Sequence, residues 1–170
     1  MAEGEFLLEV RCEEIPARML QPAVRELATR SFETLLSKGL TPSEVETGFT
    51  PRRIVLTLRG LPEREADRRE QMIGPPAKIG FKEDGEPTPA AIGFASKCGV
   101  ETSELEIVET PKGDYLGATV AIDGRSTVEV LSEQIPPILE GLSWAKAMRW
   151  GDAVGPWVRP VHGLLAIFDG

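Results

Sequence analysis

The hydrophobic positions of residues 17–37 recur at intervals of three and four, which places them on one face of a helix. They are Met19, Leu20, Val24, Leu27, Ala28, Phe32, Leu35 and Leu36. Pro16 lies just before this segment and suits a first helical turn, and Gly39 follows it where glycine commonly ends a helix. The pattern predicts an amphipathic helix over residues 17–37 with one apolar face.

Shorter segments carry strand patterns. Residues 53–61 alternate between the two faces of a strand, with Ile54, Leu56 and Leu58 on one of them. Residues 6–11 are a short apolar run bounded by turn residues, and residues 45–49 lead into the Thr50-Pro51 corner, so both are predicted strands. Residues 162–168 are apolar on both faces. We expect this last strand to lie inside a sheet and to be covered on both sides.

The middle of the chain mixes turn signals with shorter elements. Gly74-Pro75-Pro76 indicates a module boundary, and the charged residues 63–70 before it predict a solvated linker. Thr88 and Ser126 are predicted N-caps of two helices, and Pro136-Pro137 is expected to kink or split the second helix. The predicted elements here are a helix over 90–97, strands over 106–109 and 115–122, and a helix over 127–142.

These elements lack the regular βαβ rhythm of a parallel α/β protein, so the predicted fold class is α+β. We expect a mixed or antiparallel sheet with packed helices. The first strand, the strand over residues 54–58 and the last strand are placed in one sheet under the first helix. The chain, 1–170, is then a core of residues 1–73 and 146–170 with an inserted helix–hairpin–helix module over about 74–145.

The composition narrows the classes of function. The net charge of −8 argues against non-specific nucleic-acid binding, which needs a broad basic surface, but it leaves room for a local arginine patch. Cys12 and Cys98 are too few for a disulfide framework and are interpreted as reduced thiols. The sequence shows no signal peptide and no stretch of membrane-spanning length, so a cytoplasmic location is expected.

Three segments set arginine beside proline, tryptophan or glycine. A guanidinium group is always charged, and its planar fork suits phosphate oxygens and aromatic or base faces. Arg52, Arg53, Arg149, Trp150 and Arg159 are therefore candidate contacts to nucleic-acid phosphates or bases. The segments are Thr50-Pro51-Arg52-Arg53, Met148-Arg149-Trp150-Gly151-Asp152 and Val158-Arg159-Pro160-Val161-His162.

A structural reading of each segment stays open beside the functional one. The arginines would then form surface ion pairs with acidic side chains such as Glu13 and Glu14. Trp150 would fill the core, and Asp152 would cap a turn. If Arg52 and Arg53 both lie in a strand, they face opposite sides, and at most one of them can reach a given surface.

The sequence predicts no catalytic residue and no metal site. His162, the only histidine, has no Ser-His-Asp or metal-ligand pattern around it and is interpreted as a hydrogen-bonded core or edge residue. Glu13 and Glu14 precede the first helix, where negative charge is favourable. The chain also has no GxxxxGK[ST], GxGxxG or HExxH motif. A hydrolase built from Glu13, Glu14 and His162 would need these groups within hydrogen-bond reach of one another.

The three arginine segments follow an opening Leu7-Leu8-Glu9-Val10-Arg11-Cys12-Glu13-Glu14-Ile15-Pro16-Ala17. In this order they closely resemble the β subunit of bacterial heterotetrameric glycyl-tRNA synthetase, over essentially the whole chain. The resemblance implies a glycine–tRNA ligase whose class II catalytic core resides in a separate α subunit, while the β subunit serves tRNA binding. It implies ATP and magnesium for the complete enzyme and none bound by this chain. The expected partners are the α subunit and tRNA(Gly), with no DNA and no membrane.

The β subunit of that family is much longer, so the resemblance implies that the chain is an N-terminal piece of it. The predicted last strand ends two residues before the sequence does, which agrees with this expectation. Two roles stay open for such a piece: tRNA contact, or purely structural docking on the α subunit. Convergence of Arg52, Arg53, Arg149 and Arg159 on one exposed face would favour tRNA contact. Arginines that are scattered or buried in ion pairs would favour docking.

Overall fold

The computed structural model describes residues 3–82, 85–151 and 154–169. The strands are β1 (Glu3–Cys12), β2 (Glu44–Thr50), β3 (Arg53–Pro62), β4 (Arg68–Pro76), β5 (Glu106–Thr110), β6 (Gly113–Ile122), β7 (Met148–Trp150), β8 (Val154–Trp157) and β9 (Val161–Phe168). The α-helices are α1 (Ala17–Ser37), α2 (Pro89–Cys98) and α3 (Thr127–Glu140), and short 3₁₀ turns lie at Ala77–Ile79 and Thr102–Glu104. Paired strands are antiparallel, which confirms the predicted α+β class. Across these residues, no helix combines the length and apolar character needed to cross a membrane.

The chain divides into two units. The first unit contains the residues up to Ala66 and those from Arg125 onward, and the second contains Asp67–Gly124. A core interrupted by an insertion was predicted, but its boundaries were placed at about 74 and 145. The difference arises because the apolar face of α3 packs in the core of the first unit, whereas β4 belongs to the second.

The first unit is built on a four-stranded sheet with the order β2-β3-β1-β9. β1 pairs with β3 on one side and with β9 on the other, so the predicted grouping of the first strand, the 54–58 strand and the last strand is confirmed. In register, Val10 lies opposite both Ile54 and Leu164. Residues opposite each other share a face of the sheet, so the register sorts all side chains into an inner and an outer face.

The inner face of this sheet forms the core with α1 and α3. Alternate residues of β1 and β3 are buried there, as period-two strands require. The buried strand residues are Phe6, Leu8, Val10, Cys12, Ile54, Leu56 and Leu58, and Leu20, Val24, Leu27 and Leu35 of α1 lie against the same core. The sequence predicted α1 with the same bounds that the structure shows, because its apolar period is unambiguous.

α3 adds a second helix to this core through Val130, Leu131, Ile135 and Ile138. Its start is fixed by the predicted cap, since the Ser126 hydroxyl accepts a hydrogen bond from the Glu129 amide. Pro136-Pro137 does not split the helix, which continues to Glu140.

The position of β9 within the sheet differs from the prediction. The strand lies at an edge, and its inner-face residue Leu164 is 62% exposed. Leu165 and Ile167 on the outer face are also exposed. Apolar side chains on both faces indicate that a strand is to be shielded from water on both sides. They do not show which part of the protein shields it. Among the described residues, the buried layer of the core lies over β1 and β3, and β9 contributes to its margin only through the partly buried Phe168.

The second unit is a three-stranded sheet, β4-β6-β5, with one α-helix in its described part. Thr88 caps α2 as predicted by accepting a hydrogen bond from the Ala91 amide. Residues 63–67 of the charged segment predicted as a linker connect β3 to β4, but its last three residues, 68–70, begin β4 instead, because pairing with β6 satisfies their backbone while their side chains stay exposed. Gly74 also lies in this strand, where a side chain would meet the Phe94 ring at 2.6 Å.

Candidate nucleic-acid interface

Three of the segments singled out in the sequence meet at one end of the four-stranded sheet. The last residue of β1 and the turn after it donate three backbone hydrogen bonds to the other two segments. The Cys12 amide donates to the Arg52 carbonyl at 3.0 Å, and the Ile15 amide donates to the Pro51 carbonyl at 2.7 Å. The Glu13 amide donates to the Pro160 carbonyl at 2.9 Å. Backbone pairing thus holds these distant parts of the chain in one place.

We name the side chains around this recess the sheet-end cluster: Arg11, Glu13, Arg52, Arg53 and His162. They come from the end of β1, the turn after it, the β2–β3 turn, the start of β3 and the start of β9. The cluster therefore contains three guanidinium groups, an imidazole and a carboxylate. Such a set can bind an anion with several oxygens, for example a phosphate group.

Arg52 occupies the tip of the β2–β3 turn. Pro51 fixes the backbone at the first turn position, and the Thr50 hydroxyl accepts the Arg52 amide hydrogen bond at 3.4 Å. Because β3 begins only at Arg53, the alternation expected for two strand residues does not apply. Arg52 and Arg53 border the same recess, which corrects the expectation that they face opposite surfaces.

Glu13 links two members of the cluster. One of its oxygens accepts a hydrogen bond from His162 Nε2 at 2.7 Å, and the other lies 3.8 Å from Arg52 Nη2. The pKa of the Glu13 carboxyl lies below its usual value of 4.5, first because of the His162 hydrogen bond and also because of the Arg52 charge. Loss of solvation, which has a larger influence than the Arg52 charge, acts in the opposite direction without cancelling the shift. Glu13 is therefore a carboxylate at neutral pH.

Arg11 and Arg53 are direct cross-strand neighbours. Arg53 pairs with Glu9 at 3.2 Å, whereas the Arg11 side chain makes no hydrogen bond or ion pair within the described chain. Like charges directly opposite each other on a sheet are unfavourable unless an anion offsets them. Sequence reasoning did not single out Arg11 for binding, since only the β1–β3 register places it beside Arg53.

The Arg159 side chain is bound to backbone carbonyl groups. Its Nε donates to the Glu14 carbonyl at 3.1 Å, and its Nη1 donates to the Val158 carbonyl at 3.0 Å. The same nitrogen lies 3.9 Å from Met148 Sδ. The half-buried guanidinium thus ties the segment before β9 to the β1–α1 turn, next to the sheet-end cluster but bound to backbone.

Arg149 and Trp150 lie in the β7–β8 hairpin. The exposed Arg149 donates to the Gly155 carbonyl at 2.5 Å across the hairpin. Trp150 is half-buried against the core and lines the same groove as Trp157. The Trp157 indole N–H donates to the Leu139 carbonyl at 3.0 Å. Asp152, interpreted as a possible turn cap, lies outside the described residues. Nucleic-acid contact by this hairpin stays a prediction.

The geometry offers little for catalysis. Glu13 and His162 are within hydrogen-bond reach, but the contact that involves Glu14 uses its backbone carbonyl. Burial, followed by the Glu13 charge, raises the pKa of the Cys12 thiol, which disfavours the nucleophilic thiolate. Cys12 and Cys98 are both buried free thiols. Within the described ranges, no three His, Cys, Asp or Glu side chains are grouped to hold a metal ion.

A family model and curated relatives of this chain agree on one family. The family model described as glycyl-tRNA synthetase beta subunit matches residues 6–170. The glycine–tRNA ligase beta subunit of Magnetococcus marinus is 41% identical over 167 residues, which cover 98% of this chain and 24% of that protein. The protein of the same name from Acidobacterium capsulatum is 43% identical over 167 residues, covering 96% and 24%. The chain thus spans about a quarter of the length of these curated relatives.

Proposed function

Because the chain belongs to the glycyl-tRNA synthetase beta subunit family, we propose that it is part of a glycine–tRNA ligase and contacts the tRNA backbone through the sheet-end cluster. In this proposal a partner α subunit carries out the ATP- and magnesium-dependent chemistry in the cytoplasm. The chain itself supplies binding surface and no catalytic group. Its substrate-side partner is tRNA(Gly).

The observation that carries the proposal is the convergence of Arg11, Arg52 and Arg53 on one recess. Two of these arginines are cross-strand neighbours, and the third sits on a proline-fixed turn. Guanidinium groups held beside rigid backbone lose little conformational freedom when they bind a polyanion. A local cationic recess is also compatible with a chain whose overall charge is −8.

The ion pairs within the cluster are open to exchange. The Arg52 side chain is 67% exposed, and its distance of 3.8 Å from Glu13 is near the limit for an ion pair. Exposed pairs of this kind contribute about 0–1 kcal/mol, because water and salt screen them. A phosphate oxygen can therefore replace the carboxylate at Arg52 at little cost. Glu13 remains bonded to His162 when this happens.

The test uses the full-length β subunit together with its α subunit. Arg11→Ala, Arg52→Ala and Arg53→Ala are compared with the unsubstituted enzyme for tRNA affinity across a salt series. Each lost phosphate contact is expected to weaken binding for all tRNA sequences and to reduce the magnitude of the salt slope by about one unit. Arg149→Ala is measured in the same series to decide the prediction for the hairpin.

Arg68→Ala provides a matched control. Arg68 is 58% exposed and pairs with Glu70 at 2.9 Å, so it is also an exposed strand arginine in an ion pair, but it lies in the second unit. Its replacement should leave the slope unchanged. Unchanged slopes for all three cluster variants, with normal folding and normal α binding, would show that the cluster is structural.

Docking on the α subunit is a second candidate, favoured by the pairing of Arg52 and Arg53 with glutamates. In that case the cluster variants would weaken α association and leave the salt slope of tRNA binding unchanged. Measuring α–β affinity on the same proteins separates the two functions.

A further inference from the structure

β9 is an edge strand without the protective features that such strands usually carry. Exposed edges are commonly blunted by charged side chains, especially lysine, or by proline, since unpaired backbone groups invite another strand. The β9 sequence, Val-His-Gly-Leu-Leu-Ala-Ile-Phe, has neither lysine nor proline. Among the described residues it pairs on one side only, with β1.

Two other edge strands, β2 and β5, provide a comparison. On the opposite edge of the same sheet, β2 presents the exposed Glu44 and Glu46, both paired with Arg59. In the second unit, the edge strand β5 carries Glu106 and Glu109. β9 differs from both because Leu164, Leu165 and Ile167 are exposed on its two faces.

An apolar groove of about 630 Å³ lies beside the inner face of β9. It is bordered by Leu164 on β9, by Pro136 and Leu139 on α3, and by Trp150 and Trp157 of the β7–β8 hairpin. A strand added to β9 would place every second side chain over this groove. The backbone edge and the groove therefore form one continuous site for an extended segment.

We propose that β9 pairs with a further strand from the rest of the same β polypeptide, with apolar side chains at alternate positions facing the groove. The chain spans only about a quarter of its relatives, so most of the longer polypeptide is available to supply this strand. A tethered segment binds at a high effective concentration. The inference rests on family membership and is independent of the proposed tRNA contact.

The decisive comparison is between Leu164→Lys and Ile107→Lys. Both residues are exposed apolar residues on edge strands, 62% and 66% respectively. In the 170-residue chain, both substitutions should leave the Tm almost unchanged, because both side chains face solvent. In the full-length β subunit, Leu164→Lys should lower the Tm by several degrees, because it would place a charge among the apolar side chains that the added strand presents to the groove, and Ile107→Lys should not.

Hydrogen exchange on the unsubstituted proteins tests the same idea if a full-length variant fails to fold. Half of the amides in an edge strand point away from its only neighbour. In the full-length β subunit without the α subunit, we expect slow exchange at successive residues of β9. In the 170-residue chain, β9 should show slow exchange only at alternate residues, and β5 should show this alternating pattern in both proteins. Alternating protection in full-length β, or no Tm effect of Leu164→Lys, would overturn the proposal. Effects that need the α subunit, or that grow with the concentration of the short chain, would overturn it too and identify the α subunit or a second copy as the occupant.

Discussion

At the scale of single residues, Glu13 makes the sheet-end cluster sensitive to acid. Its folded-state pKa is lowered below 4.5, mainly by the His162 hydrogen bond, so its stabilising contribution is present above the unfolded-state pKa. That contribution is lost as the pH falls through the lowered folded-state value. We expect Glu13→Gln to reduce the fall in unfolding free energy on acidification from pH 5 to pH 3, measured by denaturant titration.

NMR titration of the Glu13 carboxyl checks the cause directly. Its pKa should rise toward the ordinary value in His162→Ala, because alanine has no side-chain donor and the first cause of the shift is removed. A carboxyl that already titrates at 4.5 or above in the unsubstituted protein would contradict this account of the cluster.

Ser31 is a second informative residue because it is buried on α1 and its hydroxyl has no hydrogen-bond partner within the described chain. An unsatisfied buried hydroxyl is costly, and alanine is the better helix former. Ser31→Ala should therefore raise the free energy of unfolding by up to about 1 kcal/mol. Ser37→Ala is the control, since that exposed hydroxyl donates to the Thr34 carbonyl, and it should bring no comparable gain.

At the scale of elements, the start of α3 depends on a reciprocal cap. The Ser126 hydroxyl accepts from the Glu129 amide at 3.3 Å, and the Glu129 carboxylate accepts from the Ser126 amide at 2.9 Å. Ser126→Ala should lower the unfolding free energy by about 1 kcal/mol. Ser132→Ala removes a serine within the same helix, where the hydroxyl donates to the Val128 carbonyl, and should cost less. Equal losses in chemical denaturation would show that the cap is not the cause.

Elements with a strong local signal could be predicted from the sequence, whereas features that depend on the pairing register of strands distant in the sequence could not. The period of α1 and the caps Thr88 and Ser126 are local properties, and the structure confirms all three. β4 was missed because its charged start resembles a loop, and only pairing with β6 makes it a strand. The proximity of Arg11 to Arg53 follows from register, which depends on contacts between distant parts of the chain.

At the scale of the whole molecule, the chain leaves and re-enters the first unit at neighbouring points. The Glu65 amide donates to the Arg125 carbonyl at 2.9 Å, and the nearly buried Glu65 carboxylate pairs with Arg125 at 3.1 Å. Arg64 and Ser126 form an antiparallel bridge beside them. The first unit can therefore be closed by a short turn in place of the second.

Replacing residues 67–124 with Asn-Gly, a pair suited to a two-residue turn, should leave the first unit cooperatively folded. All three tryptophans lie in that unit, and the rings of Trp144 and Trp157 form an edge-to-face pair with centroids 5.1 Å apart. The near-ultraviolet circular dichroism spectrum of the shortened protein should therefore still show the tryptophan bands of the folded protein. On heating, these bands should disappear in a single cooperative transition. Replacing residues 74–145 in the same way should abolish the transition, because it removes α3 and its four core side chains. A cooperative transition after the second replacement but not the first would favour the boundaries predicted from the sequence over those of the structure.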